Sequence, residues 1–182
     1  MLLEIDLLRH GAVVGGPGFR GRLDDPLTLT GWRQMARAVK DGRWQRVISS
    51  PRQRCRVFAE ALTRRHGLPL IIDPDLAEMD FGDWEGCTAA ELYQRYPEQL
   101  SRFWHSPSRY PPPGAELSVE FERRVIRAWQ RLLQSDCRRQ LVISHGGPIR
   151  LLLCKRDGQP FDRLLSYPVD YGSLHRLTVE RS

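Results

Sequence analysis

Two short apolar runs in this chain each stop at a His-Gly pair, and that recurrence limits the folds open to it. Leu3-Glu4-Ile5-Asp6-Leu7-Leu8 alternates as a half-buried strand does and breaks into Arg9-His10-Gly11. Leu141-Val142-Ile143 is a continuous apolar run of the kind buried in the middle of a parallel sheet, and Ser144-His145-Gly146-Gly147 ends it. Strands alternating with helices between these runs argue for an α/β chain, a three-layer αβα sandwich around a mostly parallel central sheet. Such folds place ligands at the carboxyl ends of their strands, so both imidazoles are expected in one crevice.

The intervening sequence supplies the other elements. A glycine-rich loop from Gly15 to Gly21 follows the first strand, and Thr28 can cap a helix whose apolar positions Trp32, Met35, Ala36 and Val39 fit one face. Arg46 to Ser49 reads as a strand, Arg52 to His66 as a helix that Gly67 terminates, and Leu70 to Ile72 as another strand. An irregular stretch, Asp73 to Gly86, precedes a helix from Ala89 to Tyr96, and prolines 107, 111, 112 and 113 make Ser106 to Gly114 a loop. The longest helix is expected from Ser118 to Gln134. Pro148 suits the first turn of a helix from Ile149 to Cys154, and Ser173 to Val179 reads as a final edge strand.

At 182 residues and 41% hydrophobic, the chain suits a single domain over residues 1–182. Its first residues resemble neither a signal peptide nor a membrane span, so a cytoplasmic location is expected. Cys55, Cys87, Cys137 and Cys154 show no C-x-x-C pair and no zinc-finger spacing, which argues against disulfides and structural zinc. The net charge of +6 invites nucleic acid or a membrane surface as partner. Neither is expected, because the arginine pairs 64–65, 123–124 and 138–139 are dispersed and read as solvated helix faces.

The residues at the strand exits share one chemistry. Arg9 can fork onto phosphoryl oxygens beside His10, and Arg54, one helical turn beyond Ser49-Ser50-Pro51, can face the same pocket. Arg52 and Arg56 compete with it. Glu78 stands in an irregular, aromatic-rich segment where partial burial favours the protonated carboxyl, in competition with Asp80, Asp83 and Glu85. Glu85 reads instead as a hydrogen-bonded or salt-bridged structural residue.

These residues resemble the histidine phosphatase superfamily, which includes cofactor-dependent phosphoglycerate mutases. The matches are Arg9-His10-Gly11, Leu27-Thr28-x-x-Gly31, Ser49-Ser50-Pro51-x-x-Arg54, Glu78 before Phe81-Gly82-x-Trp84-Glu85-Gly86, and Ser144-His145-Gly146-Gly147, in the family's order. The resemblance implies a phosphoglycerate mutase-like fold and a phosphomonoesterase acting on a small molecule, without metal or cofactor. It implies His10 as the nucleophile, Glu78 as general acid and base, and Arg9, Arg54, His145 and Gly146 as phosphate ligands, with His145 donating hydrogen bonds or protonated. Many members carry an asparagine shortly after Arg-His-Gly, whereas this chain contains none, leaving the role to the glycine-rich loop or Arg20.

Within the superfamily, Pro112-Pro113-Gly114-Ala115-Glu116 followed by Phe121-Glu122-x-x-Val125 looks most like bacterial alpha-ribazole phosphatases of cobalamin assembly. Arg20, Gly21, Phe81 and Trp84 are then candidate substrate-binding residues. Phe81, Trp84, Trp104 and Tyr110 suit either stacking on a benzimidazole-like base or the core. Two alternatives stay open: a broad sugar-phosphate or nucleotide phosphatase, and a catalytically silent anion- or RNA-binding module. The chain's shortness disfavours a mutase, and its oligomeric state is open.

Overall fold

The N-terminal run forms β1 (Leu2–Arg9), and β1 lies inside the sheet. The computed structural model, which describes residues 2–180, adds β2 (Arg46–Ser49), β3 (Leu70–Ile72), β4 (Arg139–Ser144) and β5 (Leu174–Glu180). The sheet order is β3-β2-β4-β1-β5. β1 pairs with β4, β4 with β2 and β2 with β3, all in parallel, while β5 runs antiparallel along β1. An interior strand must be covered on both faces, which corrects the half-buried reading: Ile5, Asp6, Leu7 and Leu8 are all buried.

Among the described residues six α-helices complete the layers: α1 (Leu29–Ala38), α2 (Gln53–His66), α3 (Ala89–Arg95), α4 (Pro97–His105), α5 (Ser118–Leu133) and α6 (Gly146–Arg156). Met35 of α1 and Cys55, Phe58 and Ala59 of α2 pack on Leu8, Val47, Leu141 and Ile143. On the other sheet face, Phe121, Val125, Ala128 and Leu132 of α5 join Ile149 and Leu152 of α6 over Leu3, Ile5, Leu7 and Val142. The result is the expected three-layer α/β sandwich. Truncating Phe121, which is fully buried, would cost about 3–5 kcal/mol.

Local chemistry sets the boundaries. The Thr28 hydroxyl accepts from the Gly31 N–H at 3.0 Å and caps α1, and Gly67 closes α2 in the left-handed region at φ 64°. The α1 face is narrower than expected, because Met35 and Val39 are buried but Ala36 is exposed. α4 was not expected: Pro97 occupies its first turn, and it buries Leu100 and Phe103 against Trp84 and Leu92 in a satellite cluster. α6 begins three residues before the expected Ile149, with His145 itself as the N-cap residue. No helix among the described residues is long and apolar enough to cross a membrane.

Candidate active site

Register alone brings the two histidines together. Arg9 of β1 lies opposite Ser144 of β4, and the His10 N–H continues the ladder to the Ser144 carbonyl at 3.0 Å. The Ser50 N–H does the same to Ile143 at 2.9 Å, so residues 10, 50 and 145 leave the sheet side by side. The imidazole centroids of His10 and His145 are 5.1 Å apart with the rings at 64°. Gly11 and Gly31 explain each other's place in the sequence: a Cβ on Gly11 would strike the Gly31 carbonyl, and one on Gly31 would strike the Ala12 carbonyl. The Thr28 N–H and hydroxyl both donate to that Ala12 oxygen, at 2.9 and 3.1 Å, locking the exit of β1 against the start of α1.

His10 is buried and lines a cavity of about 450 Å³ at the carboxyl ends of the strands. Its Nδ1 lies 2.8 Å from the Gly11 carbonyl oxygen. A carbonyl only accepts, so Nδ1 carries the proton and Nε2 keeps its lone pair. Burial, followed by the Arg54 and Arg9 guanidinium charges, holds this imidazole well below the usual 6.5, and it is neutral at pH 7.

His145 and Arg54 occupy a layer beneath the cavity, and neither side chain lines it. The Arg54 Nε donates to His145 Nδ1 at 3.2 Å, which makes Nδ1 the acceptor and places the proton on Nε2, 2.7 Å from the Ser50 hydroxyl. Arg54 Nη1 donates to the Leu23 carbonyl at 2.5 Å, and its Nη2 to the carbonyls of Arg20 at 2.8 Å and Gly21 at 3.4 Å. In this arrangement the His145 donor is turned to Ser50, and the Arg54 bonds run to His145 and to the loop backbone, so neither side chain stands on the cavity wall where the resemblance placed it. Burial, then the Arg54 charge, also holds His145 well below 6.5, which favours its neutral form at pH 7. Cys55, 3.7 Å from His145 Nε2, is pushed by burial up to about 12 and is inert there.

The cations on the cavity wall are Arg9, Arg20 and Arg150. Arg9 donates to the Val169 carbonyl at 2.6 Å and lies 4.2 Å over the Tyr171 ring, with its buried Nε unpartnered. Arg150 gives its Nε to the Tyr167 carbonyl at 3.0 Å. Arg20 is paired with Asp25 at 2.5 Å and donates to the Gly16 carbonyl, so the loop holds it on the wall. Glu78 faces them: both its carboxylate oxygens accept the Gly147 N–H, at 3.1 and 3.0 Å, at the start of α6. A Cβ on Gly147 would meet that carboxylate, so a side chain there would push Glu78 out of this position. Gly146, expected as a phosphate ligand, sits behind the Arg9 and Arg150 guanidiniums and is not on the wall.

The outer wall is apolar, with Phe19, Phe81, Phe103, Phe121, Phe161 and Leu164 among its residues. Phe81 and Arg20 are therefore where a substrate would meet them. Gly21 and Trp84 are not: the Gly21 N–H donates to Glu85 at 2.9 Å, and Trp84 is buried 5.4 Å from the Phe19 and Phe103 ring centroids. Glu85 accepts the N–H groups of Gly21, Arg22, Leu23 and Phe81, a structural residue as expected. Sequence reasoning missed Arg150 and Tyr171. The position of Arg150 one helical turn beyond Gly146 was a usable signal, whereas Tyr171 carried none. Among the described residues, no cluster of three or more His, Cys, Asp or Glu could hold a metal ion.

The model of the histidine phosphatase superfamily (branch 1) matches residues 5–182. A bifunctional protein of Mycobacterium tuberculosis is 39% identical over 154 residues, which cover 81% of this chain and 42% of that protein. The chain thus spans less than half the length of that relative. The adenosylcobalamin/alpha-ribazole phosphatase of Salmonella typhimurium is 31% identical over 177 residues, covering 93% and 87% of the two chains. The crystal structure of the alpha-ribazole phosphatase from Shigella flexneri superposes with a TM-score of 0.82 at 28% identity, over 96% of this chain and 89% of that one. Other similar proteins carry other substrates in their names, phosphoserine and glucosyl-3-phosphoglycerate among them.

Proposed function

Because the chain belongs to the histidine phosphatase superfamily, we propose that it hydrolyses a small phosphomonoester through a phosphohistidine at His10, and that the substrate is alpha-ribazole 5'-phosphate or a phosphorylated cobamide. The observation that carries the reaction is the state of His10: neutral, with Nδ1 fixed on the Gly11 carbonyl and Nε2 holding its lone pair beside the cavity. That nitrogen attacks phosphorus, and the N–P bond forms as the bond to the substrate oxygen breaks. Glu78, held by the Gly147 N–H, delivers its proton to the departing oxygen. Water then attacks the phosphohistidine, Glu78 takes its proton, and cleavage of the N–P bond frees inorganic phosphate and restores His10.

Phosphoryl transfer asks the protein mainly for position and positive charge. Arg9 and Arg150 supply that charge on the wall, and Arg54 supplies it from below through the same field that holds His10 neutral. His145 acts in this reading by orienting Arg54 and packing edge-on to His10. The finer assignment rests on the resemblance to alpha-ribazole phosphatases together with the aromatic outer wall, which suits a flat heteroaromatic base.

One observation favours a broader phosphatase. Beyond the arginines and Glu78 the wall offers few polar side chains, and the Thr88 hydroxyl is engaged by Glu91 at 2.9 Å. A wall that reads shape without hydrogen bonds discriminates modestly. Phosphate release from alpha-ribazole 5'-phosphate, measured beside sugar phosphates and nucleotides, separates the two. A preference in kcat/KM of about a hundredfold, roughly 2.7 kcal/mol, supports the cobalamin reading. A flat profile supports the broad one, and no activity on any substrate restores the binding module.

A further inference from the structure

The run from Asp75 to Glu78 belongs to no sheet, yet each of its four carbonyls has a side-chain donor. Ser144 Oγ, one residue before His145, donates to Leu76 at 2.7 Å. Arg124 of α5 donates to the other three: its Nη1 to Asp75 at 2.9 Å and Ala77 at 2.7 Å, its Nη2 to Glu78 at 3.0 Å. The last two Arg124 donors go to Glu116, Nε to Oε1 at 2.6 Å and Nη2 to Oε2 at 2.8 Å. All five N–H groups of the guanidinium are thus matched to five acceptors. Glu116 is itself fixed to the segment, its N–H donating to the Asp80 carbonyl at 3.0 Å and its Oε2 accepting the Asp80 N–H at 3.4 Å. Both side chains are largely buried, at 15% and 16% exposure.

We infer that Arg124 and Glu116 are positioning residues for the leaving-group chemistry of Glu78, a role that rests on the reading of Glu78 as the acid. Helix α5 presents Phe121 to the cavity wall and, one turn on, Arg124 beneath the loop, with the guanidinium 4.9 Å from the Phe121 ring centroid. The Glu78 backbone is gripped from that side by Arg124, and the Glu78 carboxylate from the other by the Gly147 N–H. Two rigid helices therefore fix a loop carboxyl between them, and proton transfer requires this acid within hydrogen-bonding reach of the departing oxygen. The same helix face carries Arg127 and Arg131, which reach only the Asp73 and Asp75 carboxylates in this segment and leave the acid's backbone alone. Arg124 belongs to a pair that read from sequence as a solvated helix face, and the motif around Glu116 marked a family likeness without a task. The clasp gives both a task. Lysine cannot replace the guanidinium, since an ammonium has three donors and no planar fork.

A merely structural clasp would lower activity on every substrate alike, whereas a clasp that aims the acid matters only when the leaving group needs a proton. The test compares kcat/KM of wild type, Glu78→Gln, Arg124→Lys, Glu116→Gln and Arg127→Ala on 2,4-dinitrophenyl phosphate and on an alkyl phosphate such as glycerol phosphate. In Glu78→Gln the alkyl substrate is expected to lose about 10²-fold or more and the activated aryl substrate only a few-fold. Arg124→Lys should repeat that split at about 10- to 100-fold on the alkyl substrate, Glu116→Gln should show it more weakly, and Arg127→Ala should leave both substrates unchanged. Glu116→Gln keeps the test open if Arg124→Lys does not fold. Equal losses on both substrates, or none, in the folded clasp variants would overturn the inference while the split in Glu78→Gln upholds the acid. Equal losses in Glu78→Gln would overturn the acid assignment and the clasp with it.

Discussion

Replacing His145 by glutamine should flatten the response of stability to acid by one proton. His145 is fully buried and bound to Arg54 and Ser50, and burial, followed by the Arg54 charge, lowers its proton affinity well below 6.5. The unfolded chain takes up that proton near pH 6.5 and the folded chain does not, so the stability this group contributes is complete above 6.5 and is lost as pH falls. The limiting slope is about 1.36 kcal/mol per pH unit. Carried from pH 7 to pH 5 with the folded group neutral throughout, the loss is on the order of 2 kcal/mol. Urea unfolding of wild type and His145→Gln at pH 7, 6 and 5, at fixed ionic strength, reads it directly. The wild-type advantage should shrink by about that amount between pH 7 and pH 5. An advantage that stays constant or grows would mean that folded His145 takes up a proton at least as readily as the unfolded chain, and the burial argument would fall.

Other outcomes follow from the same geometry. Trp84→Ala should cost about 3–5 kcal/mol of stability with KM unchanged, since Trp84 is core and off the cavity wall; a raised KM with intact stability would put it back at the substrate. Phe81→Ala should raise KM for a substrate with an aromatic base by about 2- to 13-fold, corresponding to about 0.5–1.5 kcal/mol of ring contact, and leave glycerol phosphate unaffected. Equal effects on both would place the base elsewhere. Activity should persist through dialysis against a chelator, because Arg9, Arg54 and Arg150 supply the charge in this reading; a requirement for added magnesium would contradict it.

Much of the frame could be read from residue order. The strands at Arg46–Ser49 and Leu70–Ile72 and the cap at Thr28 stand where local pattern and turn chemistry put them. β1 was misread because alternation in Leu3 to Leu8 describes one buried face, and its place between β4 and β5 is a property of sheet order. α4 escaped because its apolar positions, Leu100 and Phe103, find their partners in Trp84 and Leu92 across the chain. The site shows the same division. His10 and Glu78 could be found from strand exits and family motifs, yet the engagement of Arg54 by His145 joins residues 91 apart in sequence. The dispersed arginines looked alike in sequence, and only packing separates Arg124, with five acceptors, from Arg127, half exposed on the same helix.

The proposed hydrolysis turns on one bond, between phosphorus and a ring nitrogen of His10. Protein mixed with a slowly turned-over aryl phosphate, quenched in alkali to preserve phosphohistidine and digested for mass spectrometry, should carry one phosphoryl group on the peptide containing His10. His10→Ala should carry none and release no phosphate. A phosphoryl group on another residue, or steady turnover by His10→Ala, would contradict the central claim.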